Sequence, residues 1–219
     1  VRKSRKARKK VIKKRKSRKK RKSRKKRKSR KKVIRRPPRP RITSTKKVGG
    51  WTERYYGFRQ GSRVPPSSKF RKHRPVKTRV VNSINYANTH RRWRGYRHGD
   101  HFAVRWSSVL KVRKSGKYQF RLSSDDGSIL YVNGRRVVNN DGLHGMRRKE
   151  GSYNFRKGRS YRMRVDFFEH GGHAGCKLWY KGPDTHNRWK IVDRNVVHTF
   201  KTSGRRVRKS RKARKKVIK

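Results

Sequence analysis

Acidic side chains are scarce in this chain of 219 residues, where ten Asp and Glu stand against 75 Lys and Arg for a formal net charge of +65. The acids are also confined, because residues 1–50 and 201–219 contain none. Those two segments hold 30 and 11 Lys or Arg, whereas residues 51–200 hold 34 together with all ten acids. The composition therefore predicts a central domain between two polycationic arms, and a partner that carries negative charge.

Three further absences limit the function. The single cysteine, Cys176, cannot form an internal disulfide bond. No run of 18 apolar residues predicts a transmembrane helix, and no signal-peptide pattern is present. No carboxylate pair or nucleophile motif indicates a hydrolase, so we expect a protein that is not an enzyme.

The first arm repeats a KSRKKR unit every six residues, with serines at 17, 23 and 29. This period fits neither a helix nor a strand, and neighbouring like charges repel, so we expect disordered arms at 1–34 and 201–219. Such charge density favours binding of a polyanion. The candidates are nucleic acid, a sulfated or acidic polysaccharide, an anionic capsid or membrane surface, and the acidic subunits of an assembly. Without aromatic, Asn or Gln side chains in the first arm, nucleic-acid binding would be blind to sequence. The residues predicted to bind the polyanion are Arg2, Lys3, Arg5, Lys6, Arg15, Lys16, Arg18, Lys19, Arg21, Arg24, Arg27, Arg30, Arg208, Lys209, Arg211 and Arg214.

One sequence, VRKSRKARKKVIK, occurs at both 1–13 and 207–219. It is either a linker between tandem copies of one unit, which would add avidity for the polyanion, or a basic arm duplicated at both ends. Between the first arm and the central domain, the linker at 35–47 contains RRPPRPR, which predicts an extended polyproline spacer.

Residues 48–200 have the pattern of an all-β domain. Apolar and polar residues alternate at 102–106, 118–122 and 161–167, which is typical of half-buried strands. Asn133-Gly134 lies between two apolar runs and predicts a hairpin turn. No segment shows a helical stripe, so we expect one antiparallel β-sandwich or barrel.

Three stretches carry the motifs of a known family: GGWTERYYG at 49–57, FAVRWSSVLKVRKSGKYQFRLSSDDGSILYVNGRRVV at 102–138, and GSYNFRKGRSYRMRVDFFEHGGHAGCKLWYKGPD at 151–184. They resemble the protective-antigen-type (PA-fourteen) domain, a β-barrel shared by bacterial toxins, yeast flocculins and adhesins, and accessory regions of glycosidases. The resemblance covers about residues 48–200, excludes the basic arms and implies a module without catalytic activity.

The resemblance also implies a site at SSDDGS, residues 123–128. In sugar-binding members of the family, two adjacent aspartates joined by a cis peptide hold a calcium ion that ligates sugar hydroxyls, and Asp125 and Asp126 occupy that place. Calcium takes six to eight oxygen ligands. The alternative is an ordinary turn, because Asp caps its own backbone and Gly tolerates positive φ. The further candidates for glycan binding are Asn140, Asp141, Glu169, His170, Gly171 and Gly172.

Two more segments leave alternatives open. In HGGHAGC, His170, His173 and Cys176 have a spacing that suits zinc if His98 or His101 adds a fourth ligand, but a glycine-rich loop followed by a core strand gives the same pattern. In RRWRGYR, residues 91–97, the aromatic residues either stack on a ligand among arginines or belong to the core.

Two functions follow from these features. The arms favour a structural or packaging protein that binds nucleic acid or acidic partners, such as a minor capsid protein of a large DNA virus, located in a virion or nucleoprotein assembly. The alternative is a calcium-dependent carbohydrate-binding module of the lectin or adhesin type, held by its arms at a cell surface.

Overall fold

The computed structural model describes residues 45–202. The arm residues predicted to bind a polyanion, the six-residue repeat, the duplicated segment and most of the linker at 35–47 lie outside this range, and those predictions stay open. Within it, no helix combines the length and the apolar character needed to cross a membrane.

Antiparallel strands dominate the described chain, as the alternating pattern predicts. One short helix, α1 (Ser67–Lys72), and a 3₁₀ turn at Pro183–Thr185 complete the elements. The strands are β1 (Thr45–Gly49), β2 (Trp51–Tyr56), β3 (Lys77–Val81), β4 (Asn85–Thr89), β5 (Phe102–Lys111), β6 (Gly116–Asp125), β7 (Ser128–Val132), β8 (Arg135–Asn140), β9 (Arg147–Phe155), β10 (Ser160–Glu169), β11 (Ala174–Lys181), β12 (Lys190–Ile191) and β13 (Val197–Thr202).

The strands form two sheets that pack as a sandwich. The larger sheet has the order β1-β13-β5-β10-β7-β8, with β2 also paired to β5 and β3 paired to β2. The smaller sheet has the order β12-β11-β6-β9, and β4 pairs with β11. The expected all-β sandwich is confirmed, and β3 and β4 lie at the edges of the two different sheets.

The core lies between the sheets and is rich in aromatic rings. Alternate residues of β5 and β6 point inward, as the period of two requires. Each of these large side chains contributes about 1.5–3 kcal/mol by leaving water. The largest fully buried side chains are Trp51, Trp106, Tyr55, Tyr118, Phe102, Phe120, Phe155, Phe167, Phe168, Ile84, Leu110 and Leu122.

Local turn chemistry agrees with the strand pattern. Asn133 and Gly134 connect β7 to β8 with φ of 49° and 86°, so the predicted hairpin is confirmed. The helix α1 was not predicted, because six residues with one buried side chain, Phe70, are too short to show a helical stripe.

A buried carboxylate connects the two sheets. Glu53 on β2 accepts hydrogen bonds from Arg79 Nε on β3 at 2.6 Å and from Trp106 Nε1 on β5 at 2.9 Å. It also accepts one from the hydroxyl of Tyr86 on β4, a strand of the smaller sheet. Burial, followed by the nearby Glu53 charge, raises the pKa of Tyr86. Desolvation by itself lowers the pKa of the Arg79 guanidinium, but the charge and hydrogen bond of Glu53 outweigh it, so that the pKa of Arg79 is raised as well. The network therefore holds β4 against the larger sheet.

We predict that Glu53→Gln lowers the free energy of unfolding by about 3 kcal/mol, because it breaks a buried ion pair and leaves Arg79 without its counter-charge. The matched control is Glu150→Gln, which removes a carboxylate that is 46% exposed and bonded to Arg121, and it should cost about 1 kcal/mol or less. Urea unfolding of both variants measures the difference. If both variants lose the same free energy of unfolding, the buried Glu53 network contributes no more to stability than an exposed ion pair.

Candidate functional site

The Asp125-Asp126 pair lies where β6 turns into β7, and the peptide bond between the two residues is cis. Both side chains are largely buried, at 7% and 5% exposure. The following residue, Gly127, is required by close packing, since a Cβ there would lie 2.5 Å from the ring of Phe168 and 2.9 Å from the backbone of Gly142. The loop at Gly127 therefore packs closely against Phe168 on β10 and against the backbone of Gly142.

Three segments meet at Asp126. Its carboxylate accepts hydrogen bonds from the backbone N–H of His144 at 3.1 Å and from that of His170 at 2.9 Å. Its own N–H donates to Glu169 Oε2 at 3.2 Å. The structure therefore brings Asp126 together with Glu169 and His170, which the sequence analysis named as candidates. It also brings His144 to Asp126, a contact that no sequence motif indicates.

Asn140 and Asp141 have supporting positions. Asn140 is fully buried, donates to Ser124 Oγ and to the carbonyl of Arg147, and accepts from the Arg147 guanidinium. Asp141 accepts from the N–H groups of Val64 and Gly142. Their side chains brace the loop between β8 and β9, and the contacts do not favour the direct role in ligand binding that the sequence suggested for them.

The Gly-rich loop after β10 forms the other side of the site. Gly171 and Gly172 are exposed, and the Gly172 N–H donates to Asp100 Oδ1 at 3.1 Å. The His170 ring lies 4.9 Å from that of His101. A Cβ added at Gly171 or Gly172 would meet no other atom within 4 Å, so the tip of this loop is open. Contact of the loop with a ligand stays a prediction.

The carboxylates of Asp125, Asp126 and Glu169 have no Lys or Arg partner among the described residues. Glu169 is 0% exposed, and its Oε1 has no hydrogen-bond partner among the described residues. Burial, followed by the charges of Asp126 and Asp125, raises the pKa of Glu169 to about 9. Burial likewise raises the pKa of Asp125, which a hydrogen bond from Asn88 partly offsets. In the part of the chain that the structure describes, no Lys or Arg forms an ion pair with these three acids.

These donors fit a hard cation better than zinc. Within residues 45–202, no three His, Cys, Asp or Glu side chains are placed together to hold a metal ion. A cation at this loop would therefore need backbone carbonyl or water oxygens in addition to the two aspartates, which calcium accepts. Zinc prefers a closed set of nitrogen and sulfur ligands, and Cys176 is instead fully buried in the core on β11.

The aromatic residues of RRWRGYR belong to the core. Trp93 and Tyr96 are 5% and 6% exposed, and Trp93 Nε1 donates to the carbonyl of Ala174 at 3.2 Å. The ring of Trp93 stacks on that of Phe167 at 5.3 Å. Of the two alternatives that the sequence left open, the structure supports the core position, and Trp93 has no exposed ring face for stacking on a ligand.

We predict that Glu169 makes the domain less stable as pH rises when divalent cations are removed by a chelator. Its pKa is higher in the folded state, at about 9, than the ordinary value of 4.5. Between these values the folded state binds more protons than the unfolded state, so the free energy of unfolding falls with pH, by at most about 1.4 kcal/mol per unit. Urea unfolding between pH 5 and pH 8 should show this decline in the wild-type protein and a smaller one in Glu169→Gln. The surface variant Glu150→Gln should follow the wild-type curve, and parallel curves for all three proteins would contradict the assignment.

Comparison with known proteins identifies the fold. The family model described as the PA14 domain matches residues 82–193. Among solved structures, the PA14 domain of the MpAFP antifreeze protein aligns with a TM-score of 0.60 at 16% identity, covering 72% of this chain and 94% of that one. The PA14 sugar-binding domain from an RTX adhesin gives 0.58 at 20% identity, with 72% and 99% coverage.

A third neighbour is the A domain of epithelial adhesin 6 from Candida glabrata, solved in complex with Galβ1-3GlcNAc, with a TM-score of 0.55, 14% identity and coverage of 75% and 92%. At these identities the solved structures show the fold alone. No curated protein matches the chain. The family model, however, spans half of the sequence and includes both the Asp125-Asp126 loop and the Gly-rich loop, and the chain accordingly belongs to the PA14 domain family, the protective-antigen-type family that its motifs resemble.

Proposed function

We propose that this protein is a carbohydrate-binding module that holds a calcium ion at Asp125 and Asp126 and is not an enzyme. The observation that carries the proposal is the buried Asp125-Asp126 pair beside Glu169, which forms no ion pair with Lys or Arg among the described residues although 34 Lys and Arg accompany ten acids in this region. A bound cation would offset the burial and the carboxylate repulsion that together raise the pKa of Glu169.

The residues around the loop have separate tasks in this proposal. Asp125 and Asp126 bind the cation, whose positive charge attracts the hydroxyl oxygens of a sugar. Glu169 fixes the Asp126 backbone through its hydrogen bond. The exposed side chain of Leu143 and the half-buried ring of His144 lie in the loop on one side, and Gly171 and Gly172 on the other. The sugar would enter between these two loops.

The solved neighbours favour this function over packaging in a virion. An RTX adhesin domain is described as sugar-binding, and two Candida glabrata adhesin domains were solved with Galβ1-3GlcNAc and Galβ1-4GlcNAc. The packaging function, the nucleic-acid partner and the tandem arrangement receive no such support. We therefore place the protein outside the cell or at its surface, with the basic arms as anchors on a polyanion.

We predict that calorimetric titration of calcium into the full chain shows binding that is lost in Asp126→Asn. The polycationic arms do not compete for calcium, because they repel it. The matched control is Asp193→Asn, which removes a carboxylate from the turn after β12 and should leave calcium binding unchanged. Absence of calcium binding in the wild-type protein, or its persistence in Asp126→Asn, would overturn the metal site.

A second titration tests the sugar. Neutral galactosides, including Galβ1-3GlcNAc and lactose, should bind in the presence of calcium and not after chelation. Neutral ligands are needed because the arms would retain charged ones irrespective of the loop. If calcium binds but none of the galactosides does, the calcium ion has a structural role and these sugars are not the ligands.

A further inference from the structure

We propose that a second site, separate from the calcium loop, binds a sulfated polysaccharide in a basic groove at the open edges of the two sheets. The basic groove is defined by the side chains of Lys77, Arg79, Arg91, Arg92 and Arg94, and its volume is about 880 Å³. This is within the usual size of sites for small ligands and suits a short stretch of a flexible chain.

The groove exists because two edge strands meet without pairing. β3 ends the larger sheet beside β2, and β4 lies at the edge of the smaller sheet beside β11. Residues 82–84 connect the two strands, and the segment 90–97 covers the far side. Tyr86 and Arg79, both bound to Glu53, form the floor.

The basic side chains are held in place by the fold. Lys77 Nζ donates to the carbonyl of Gly95 at 3.1 Å, and Arg79 donates to that of Arg94 at 3.2 Å. Gly95 has a φ of +80°, and a Cβ there would lie 2.8 Å from Lys77 Nζ. Two cations are thus positioned before a ligand arrives, which reduces the entropy lost on binding.

Four of the five charges have no acidic partner. Glu53 neutralises Arg79, but none of the ion pairs found within residues 45–202 involves Lys77, Arg91, Arg92 or Arg94. Among the residues that the structure describes, no Asp or Glu lines the groove. Such a concave patch of one sign raises the local concentration of anions, and planar guanidinium groups bind sulfate or phosphate oxygens through paired hydrogen bonds.

The lining favours a sulfated sugar chain over a nucleic acid. Trp93 and Tyr96 lie beneath the groove with 5% and 6% exposure, and the half-buried ring of Tyr86 on the floor already stacks on Trp93 at 4.1 Å. The groove therefore offers bases at most one partly covered ring face. Base stacking on exposed rings is the usual source of affinity for single strands. Asn82, Asn85 and Thr89 add amide and hydroxyl groups to the lining, and these can bond sugar hydroxyls.

The test must separate the groove from the basic arms, so it needs a readout at one residue. We would acylate exposed lysines of the full chain during titration with a heparin-derived hexasaccharide and quantify each lysine by mass spectrometry. Lys77 in the groove should be protected at lower hexasaccharide concentration than Lys111, an exposed lysine at the end of β5 outside the groove. Protection of both lysines at the same concentration would overturn the proposal, because it would show unspecific coating of the surface.

Two triple variants complete the design. Arg91→Gln/Arg92→Gln/Arg94→Gln should raise the concentration needed to protect Lys77 about tenfold, since three partly exposed ionic contacts are lost. The control Arg135→Gln/Arg136→Gln/Arg148→Gln removes the same charge from exposed positions outside the groove and should change little. If both triple variants raise the concentration needed to protect Lys77 by the same factor, the effect comes from net charge alone, and the groove is not a specific site. Urea unfolding of the first variant verifies that it folds, and Arg91→Lys/Arg92→Lys/Arg94→Lys, which keeps the charge, should restore part of the protection.

An oligothymidylate of the same charge decides the class of ligand. It should protect Lys77 only at higher concentration than the hexasaccharide, because the groove offers bases only the partly covered ring of Tyr86 for stacking. Equal or stronger protection by the oligothymidylate would replace the polysaccharide with a nucleic acid and overturn the proposal.

Discussion

The buried carboxylate of Glu53 is the interaction on which the arrangement of both sheets depends. It collects donors from three other strands, Arg79 on β3, Tyr86 on β4 and Trp106 on β5. A buried charge is tolerated only when it is paired and fully hydrogen-bonded. Since Tyr86 belongs to the smaller sheet and the other donors to the larger one, satisfying Glu53 also sets how the edges β3 and β4 approach each other. The basic groove is a consequence of that approach.

The buried acids of this domain fall into two groups, those paired with arginine and those without such a partner. Asp166 is buried between Arg105 at 2.7 Å and Arg164 at 3.2 Å, and Glu53 is paired with Arg79. Asp125, Asp126 and Glu169 are also buried, but none of the ion pairs with Lys or Arg found within residues 45–202 involves them. The same domain contains many Lys and Arg, so the missing partner is not a matter of composition. Buried aspartates without a Lys or Arg partner are suited to bind a cation from solution.

The sequence predicted the parts of the structure that depend on local pattern. Alternation at 102–106 and 118–122 predicted β5 and β6, and Asn133-Gly134 predicted the hairpin. The sequence could not predict the Glu53 network, because Arg79 and Trp106 lie 26 and 53 residues away from Glu53. A single Glu within a strand does not indicate which distant side chains will bind it. The contact between His144 and Asp126 was hidden for the same reason, since it depends on how β8 and β9 bring their loop back to the end of β6. Asn140 and Asp141 lie at the end of β8, close to the Asp125-Asp126 loop, but only their side-chain contacts distinguish bracing a loop from facing a ligand.

The two proposed sites differ in the physics that controls them, which makes their contributions separable. The proposed calcium loop is buried, so a cation there would be held by short contacts that salt screens weakly. The exposed charges of the groove would instead act over distances that are largely screened beyond a Debye length of about 8 Å at physiological ionic strength. A polyanion captured by many exposed charges raises the local concentration of any sugar attached to the same surface, so a weak site at Asp125-Asp126 gains avidity without new contacts. Raising the salt concentration removes that gain first and leaves the intrinsic affinity of the loop. The scarcity of acids in this chain therefore fits a protein whose charge provides attachment while a small acidic cluster provides selectivity.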